Sequence, residues 1–441
     1  MLDIKYIREN LEVCKAAAVH KNRVVEWDKL LEADEQRKEL IGKIDALRTE
    51  RNVVSRSGSP SASPSPSPSP EDKGLDYQTR GKEIKVELKE LEEALRTVES
   101  EFESLMLTVP NVPDKSVPVG KDEKDNVEVK KWPARNASQS DAGGGEPTKF
   151  NFEPKDHIEL ATSLDLIDFE RGAKVGGSRA YFLKNEGAQL ELAVLMYTFN
   201  KLIAKGYTPL IAPSLTKEFT FFGVGQFPWS KDEVYHLEKD DIYVSGTAEV
   251  PVTAYYSNEV LTEKDLPKKF VAFSPCFRRE AGSYGKDTRG VYRVHQFNKI
   301  EQVIISTAET SNSLTLHEEL LANSEEILQD LKLPYRIILM CTGDMGEPQV
   351  KKYDLETWMP SRIAYGETMS NSFMGDFQAR RLKIRYKGKD GNTKFCHTLN
   401  NTAIASPRIL VAILENYQQA DGSIKVPDVL QPFVGKKEIR R

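Results

Sequence analysis

Cysteine is scarce in this chain. Four are scattered over 441 residues, Cys14, Cys276, Cys341 and Cys396. No two stand as C-x-x-C, so neither a disulfide framework nor a zinc ribbon is indicated. An excess of positive charge is missing as well. The 62 Lys and Arg against 67 Asp and Glu leave a formal charge of −5, so a nucleic-acid partner has to be met by local patches. No apolar run is long enough to span a membrane, and MLDIKYIRENLEVCKAAAVHK has no apolar signal core. These absences set the expectation of a soluble, cytoplasmic protein in a reducing compartment, with no membrane partner. A phosphate-cradling G-x-x-x-x-G-K-S/T loop is also absent, and GVGQFP lacks the strand–helix setting of a dinucleotide fingerprint.

What is present divides into parts, because 441 residues exceed one compact core and suggest two or three domains. Residues 1–110 read as a helical arm. Within it Ala33, Leu40, Leu47 and Val54 recur every seven residues. Ile84, Leu88, Leu91, Leu95, Val98, Phe102 and Leu105 then alternate spacings of four and three, an a/d seam. Two such helices, each about 45 Å long at 1.5 Å per residue, make an antiparallel coiled-coil hairpin. Its tip, 56–75, alternates serine with proline and is expected to be disordered or polyproline-like. A dimerisation coiled coil fits this seam as well as an RNA-binding arm does. Residues 111–150 are rich in proline, glycine and polar residues and read as a linker. Residues 151–441 mix amphipathic helical patterns with β-rich runs, giving an α+β chain.

The charged chemistry concentrates in PCFRREAGSYGKDTRGVYRVHQFNKIEQ. Read as strand, glycine-punctuated loop and strand, the segment places Arg278 and Glu280 on one face of the first strand. Arg293, Phe297 and Glu301 then share one face of the second. Guanidinium forks bind phosphates bidentately and a flat ring can stack on a base. A solvated sheet with cross-strand ion pairs is the alternative, and five residues on matched parity argue against it. In DIYVSGTAEVPVTAYY, Thr247 and Glu249 share strand parity and could hold a substrate ammonium; an ordinary edge strand fits them too. In NNTAIASPRILVAILENYQ, Ser406 suits an N-cap, Pro407 the first helical position, and Arg408 the first turn. That end of a helix already favours anions, so Arg408 points to a bound anion or to a partner acid. Glu367 and Ser370 offer oxygen ligands for Mg²⁺.

Together these stretches resemble the seryl-tRNA synthetases, a class II aminoacyl-tRNA synthetase family. GYTPLIAPSL, with Pro213, resembles motif 1; FRRE through HQFNKIEQ resembles motif 2 and its loop; NNTAIASPR resembles motif 3. TAEVP, GVGQFP, CTGDMG, HQFNKIEQ and DFQARR, with the N-terminal hairpin, point to serine in particular. The resemblance covers nearly the whole chain. It implies the class II antiparallel sheet flanked by helices, working as a homodimer through motif 1. It implies ATP-dependent activation of L-serine and transfer to tRNA(Ser), and to tRNA(Sec) where that exists, with ATP and Mg²⁺ required and no zinc.

The resemblance also implies roles. Arg278 would meet the α-phosphate and the serine carboxylate, and Glu280 the adenine amino group. Phe297 would stack on adenine beside Val294, while Arg293 and Arg408 would hold the terminal phosphates. Arg279, Thr368 and Met369 would line the ATP site, with Glu367 and Ser370 on Mg²⁺. Thr247, Ala248, Glu249, Glu301 and Thr402 would form the serine pocket. Arg48, Arg51, Arg80, Lys82, Lys85 and Lys89 would track tRNA phosphates, although each also fits a charged coiled-coil exterior. The Ser-Pro tip departs from the family, which carries a helical turn with basic residues there. Three rivals are weaker. A carrier-protein ligase would lack the arm, and an inactive paralogue would have lost some of Arg278, Glu280, Glu301 or Arg408. A threonine enzyme would show a zinc site.

Overall fold

Long alternating or continuously apolar runs between residues 268 and 405 build one sheet. The computed structural model describes residues 1–57, 77–133, 150–283 and 289–441, so most of the expected Ser-Pro tip lies outside the described residues. The main sheet has eight strands: β1 (Val127–Trp132), β2 (Thr208–Ile211), β3 (Lys268–Phe277), β4 (Gln296–Ser306), β5 (Tyr335–Leu339), β6 (Lys351–Met359), β7 (Ala364–Gly375) and β8 (His397–Ala405). Their spatial order is β1-β5-β6-β7-β8-β4-β3-β2. Every neighbouring pair is antiparallel except β2 with β3, which run parallel. The central strands β4 and β8 are buried on both faces over Ile300–Ser306 and His397–Ile404, which is why their sequences do not alternate cleanly. The site depends on these two and on β3 and β7.

Helices cover the sheet. Asn185–Ala204, Thr310–Asp330 and Ser406–Tyr417 pack on its central strands, and their apolar residues join one core that includes Leu190, Val194, Leu320, Leu328, Ile409 and Ile413. The segment expected as a linker contributes β1 to the sheet edge, and the Asn111 and Asp114 amides donate to the carbonyls of Glu347 and Val350 at 2.9 and 2.8 Å. Residues 134–149 lie outside the described residues.

The chain forms two compact units: Met1–Leu2, Glu12–Arg23 and Pro110–Arg441 in the larger, Asp3–Leu11 and Val24–Val109 in the smaller. In the larger unit the Lys21 ammonium, 3% exposed, donates to the carbonyls of Gly346, Glu347 and Gln349 at 3.1, 3.0 and 2.6 Å. Burial lowers its pKa to about 7. The smaller unit is dominated by two helices of 31 residues, Trp27–Ser57 and Tyr77–Leu107. The pairs Arg48–Glu92 and Arg80–Glu50, and Arg37 stacked over Phe102, show that they run antiparallel. Their seam buries Ile44, Val54, Ile84 and Leu88 with Leu47, Leu91 and Leu95 alongside. Asp34, its side chain fully buried, accepts from Arg8, Arg37 and Lys38 at 2.7, 2.9 and 2.8 Å. Burial pushes this carboxyl up, and the three cations more than offset it, holding it below the usual range.

Three local expectations need correction. First, Arg278, Glu280 and Arg293 are not strand residues, since β3 stops at Phe277 and β4 starts at Gln296. One further rung, Arg278 N–H to the His295 carbonyl at 2.9 Å, precedes a turn in which Glu280 takes a left-handed φ of 54°. The Glu233 carboxylate ties this turn down by accepting from the amides of Ala281 and Gly282 at 3.1 and 2.7 Å. Second, Thr247 and Glu249 do not share a strand. The strand Ile242–Val244 ends before Gly246, and Glu249 opens the short helix Glu249–Thr253, where Pro251 fits because an early helical N–H has no partner to lose. Third, Ser406 is the first helical residue and not the cap, which is Ala405; its hydroxyl instead accepts from the Asn298 amide at 3.3 Å.

Candidate active site

The ends of β3, β4, β7 and β8 and the start of the Ser406–Tyr417 helix converge on a cleft of about 520 Å³. Arg278 enters from the end of β3, Arg293 and Val294 from the approach to β4, and Phe297 from β4 itself. Glu367, Thr368, Met369 and Ser370 come from β7, Thr402 from β8 and Arg408 from the helix. Glu280 lines it too. Expected residues from five separate elements therefore share one cavity, although of Arg278, Glu280, Arg293 and Phe297 only Phe297 reaches it from a strand. The three charged residues reach it through turns.

One end of the cleft is cationic and flat. The Arg278 guanidinium stands 5.4 Å over the Phe297 ring, and Arg293 faces Glu280 at 3.4 Å. Arg408 is anchored: Nη1 donates to the Glu367 carbonyl and carboxylate, both at 3.1 Å, and Nε to the Tyr292 carbonyl at 3.3 Å. Its guanidinium also lies 4.7 Å from the Tyr292 ring. Loss of solvent pushes the Glu367 carboxyl up, and Arg408 and Lys352 overcome it, so the group sits below its ordinary range. Tyr292 was not singled out in the sequence. A tyrosine in a glycine-rich loop carries no chemical signal until Arg408 is seen against it.

An adjoining cavity of about 980 Å³ is lined by Thr247, Gly246, Gln226 and Glu233, and shares Arg278, Glu280 and Arg293 with the first. At the junction lies a buried polar cluster. Lys299 and Glu301, with side chains 4% and 2% exposed, form an ion pair. The Lys299 ammonium also donates to the hydroxyls of Thr247 at 2.7 Å and Thr402 at 3.3 Å. Thr247 in turn donates to Glu301 Oε2 at 3.3 Å. The Glu249 carboxylate accepts from Gln378 Nε2 at 2.8 Å and Asn400 Nδ2 at 2.9 Å. Burial, reinforced by the charge of Glu301, pushes its pKa up to about 7. Lys299 was missed, yet it has the parity of Phe297 and Glu301; only its habit of lying on solvated faces hid it.

Four expected site residues line neither cavity: Glu249 and Glu301, which belong to the buried polar cluster, and Ala248 and Arg279. Ala248 is fully buried in an apolar cluster with Val252, Phe270 and Val303, so only its backbone is placed to act. Arg279 is exposed and lines neither cavity. On the arm, Arg80 is engaged by Glu50, Glu83 and Glu87 at 2.7 to 3.3 Å, and Arg48 by Glu92 at 3.0 Å. Arg51, Lys82, Lys85 and Lys89 are exposed.

A divalent cation has suitable donors here. Glu367 and Ser370 both line the cleft, and Asp354 pairs across the strands with Ser370. Asp354 is 7% exposed, and its Oδ1 has no hydrogen-bond partner among the described residues. All three are oxygen ligands of the kind hard cations prefer. Among the described residues no three His, Cys, Asp or Glu side chains cluster as a complete metal site.

The seryl-tRNA synthetase N-terminal domain family matches residues 1–113, and the tRNA synthetase class II core domain (G, H, P, S and T) matches 233–417. The serine–tRNA ligase of Deinococcus radiodurans is 45% identical, covering 100% of this chain and 99% of its own; that of Treponema denticola is 42% identical over 99% of each. Among solved structures, the seryl-tRNA synthetase of Pyrococcus horikoshii complexed with ATP superposes with a TM-score of 0.87 at 40% identity, covering 100% of this chain and 99% of that one. The cytoplasmic serine–tRNA ligase of Naegleria fowleri in complex with AMP gives 0.84 at 32% identity, covering 100% and 99%.

Proposed function

The chain belongs to the seryl-tRNA synthetase family, and from that premise we propose how its residues make it a serine–tRNA ligase. The reaction has two steps. The carboxylate of L-serine attacks the α-phosphorus of ATP, giving seryl-adenylate and pyrophosphate. A ribose hydroxyl at the 3′ end of tRNA(Ser), or of tRNA(Sec) where present, then takes the seryl group and AMP leaves. Neither step needs a side-chain nucleophile, so the protein acts by positioning and by stabilising charge.

In the cleft, Arg278 neutralises the α-phosphate and orients the serine carboxylate, while Phe297 stacks on adenine. Glu280 accepts from the adenine amino group, with the backbone at Val294 alongside. Arg293 and Arg408 hold the terminal phosphates; Arg408 is suited to this because Glu367 and Tyr292 already fix its plane. Glu367 and Ser370 hold Mg²⁺, which supplies positive charge to the phosphate oxygens. Glu249 receives the serine ammonium, and Glu301 with Thr402 reads the hydroxyl. A pocket built to bond a hydroxyl rejects alanine strongly, because the analogue leaves buried polar groups unpaired.

We also propose the larger organisation. Residues 1–110 form the tRNA-binding arm, in which Arg51, Lys82, Lys85 and Lys89 present free positive charge and Arg48 and Arg80 chiefly brace the helices. Residues 111–150 connect it to the catalytic part, 151–441. A homodimer is supported by β2, an edge strand whose Ile211 is 83% exposed, and by Leu192 and Met196 on the Asn185–Ala204 helix, 61% and 45% exposed; apolar groups on an unpaired edge call for a cover. No helix among the described residues is long and apolar enough to cross a membrane, and the working compartment we assign is the cytoplasm.

The observation that carries this reading is the buried Lys299–Glu301–Thr247–Thr402 cluster opening onto the Arg278–Phe297 cleft. Amino-acid-dependent pyrophosphate exchange tests it, run with serine, threonine, alanine and glycine. Exchange with serine alone is the expected result, and exchange with threonine but not serine overturns it.

A further inference from the structure

We propose that Lys299 is a positioning residue that sets the direction of the hydrogen bonds in the amino-acid pocket, so that the pocket offers the substrate hydroxyl one acceptor and one donor. This inference rests on the function proposed above.

An ammonium has three N–H groups and no acceptor capacity. In Lys299 all three are spent: on the Glu301 carboxylate, the Thr247 hydroxyl and the Thr402 hydroxyl. The side chain is 4% exposed, so no donor is left over for a ligand. Its influence is exerted through the two threonines.

A hydroxyl has one hydrogen and two lone pairs. At Thr247 both lone pairs are taken, by Lys299 at 2.7 Å and by the Glu249 amide at 3.2 Å. The hydrogen then has one destination, Glu301 Oε2 at 3.3 Å. Thr247 is thereby saturated, and its hydroxyl cannot also accept from a substrate ammonium. That group is left to Glu249, whose Oε1 alone is engaged by Gln378 and Asn400. At Thr402, Lys299 occupies one lone pair at 3.3 Å. Among the described residues no acceptor takes the Thr402 hydrogen, and Thr402 lines the ATP-side cleft.

The outcome is an ordered array. Glu301 stays an acceptor, because a cation and an O–H both point at it. Thr402, with one lone pair held by Lys299 and its hydrogen unclaimed among the described residues, presents that hydrogen as a donor and keeps one lone pair. A substrate hydroxyl, which donates once and accepts, satisfies both; a methyl group satisfies neither. Without the ammonium, Thr247 loses one of the two donors that fix it and Thr402 loses its only one, so both hydroxyls are freer to turn. Selectivity for a hydroxyl then falls even though every group that touches the substrate remains.

The test uses the full-length chain with Lys299→Met, which keeps the length and removes the donors, and Lys299→Ala with added propylammonium chloride. Pyrophosphate exchange gives KM for serine, KM for ATP, and kcat/KM for serine over alanine, and thermal melting reports folding. We expect Lys299→Met to raise KM for serine at least tenfold while KM for ATP stays within twofold, and the serine-over-alanine ratio to fall at least tenfold. Propylammonium should restore at least threefold of the serine activity of Lys299→Ala without raising that of alanine. If Lys299→Met does not fold, Lys299→Gln, which retains neutral donors, carries the same comparison. A serine KM within twofold of wild type, or equal losses for serine, alanine and ATP, would overturn the proposal. Wild-type exchange with serine is read separately: its absence would refute the pocket assignment, whereas the variant-to-wild-type ratios judge Lys299 alone.

Discussion

The role proposed for Glu249 makes the capture of serine pH-dependent in a calculable way. Its carboxyl is pushed to about 7 by burial and by Glu301, partly countered by Gln378, Lys299 and Arg278. A raised pKa means that the neutral form persists up to that pH in the free protein. A substrate ammonium, however, is attracted to the anion. Binding therefore selects the ionised fraction, which is roughly one in eleven at pH 6 and about ten in eleven at pH 8 for a pKa near 7. We expect kcat/KM for serine to rise about tenfold from pH 6 to pH 8, with a plateau above, since kcat/KM reports groups of the free enzyme. Exchange measured between pH 5.5 and 8.5 gives this profile directly. Glu249→Gln should lower the plateau by about tenfold or more and flatten the acid limb, which separates Glu249 from titration of ATP itself. Calorimetry in two buffers of different ionisation enthalpy should find proton release on serine binding at pH 6 and almost none at pH 8.5. An acid limb that is unchanged in Glu249→Gln would refute the reasoning.

Three further outcomes are expected. Glu301→Ala should abolish serine activation, by at least 10³-fold in kcat/KM, while ATP binding stays close to wild type and the melting temperature falls because the buried Lys299 ammonium loses its partner; near-normal exchange would dismiss the pocket. Deleting residues 30–104 should leave exchange within about threefold and depress tRNA charging at least a hundredfold, measured by aminoacylation of tRNA(Ser); surviving charging would mean the arm does not engage tRNA. Ile211→Asp should shift the protein from dimer to monomer in light scattering at micromolar concentration, because a charge on the exposed edge opposes its cover; an unchanged dimer would put the interface elsewhere.

The coiled-coil seam was legible because the 4/3 spacing of Ile84, Leu88, Leu91 and Leu95 is periodic, and the helix lengths followed from it. The ATP cleft was legible as a set of residues but not as a geometry. Arg278, Glu280 and Arg293 were expected on strand faces, and turns deliver them, since a left-handed Glu280 clamped by the remote Glu233 leaves no trace in local alternation. Pro251 in TAEVP was the available sign that Thr247 and Glu249 stand at the start of a helix and not within a strand. Lys299 and Tyr292 escaped because their roles come from partners 103 and 116 residues away, Thr402 and Arg408. Asp354 escaped for the same reason: only the register of β6 with β7 sets it beside Ser370.

The Lys21 ammonium constrains where the molecule can be cut. It satisfies the carbonyls of Gly346, Glu347 and Gln349, and Arg23 pairs with the Glu347 carboxylate. Trimming the chain to a fragment that starts at residue 111 would strip all of these at once and uncover the three carbonyls to water. Residues 12–23 thus belong to the larger unit, and a minimal activating fragment has to retain them.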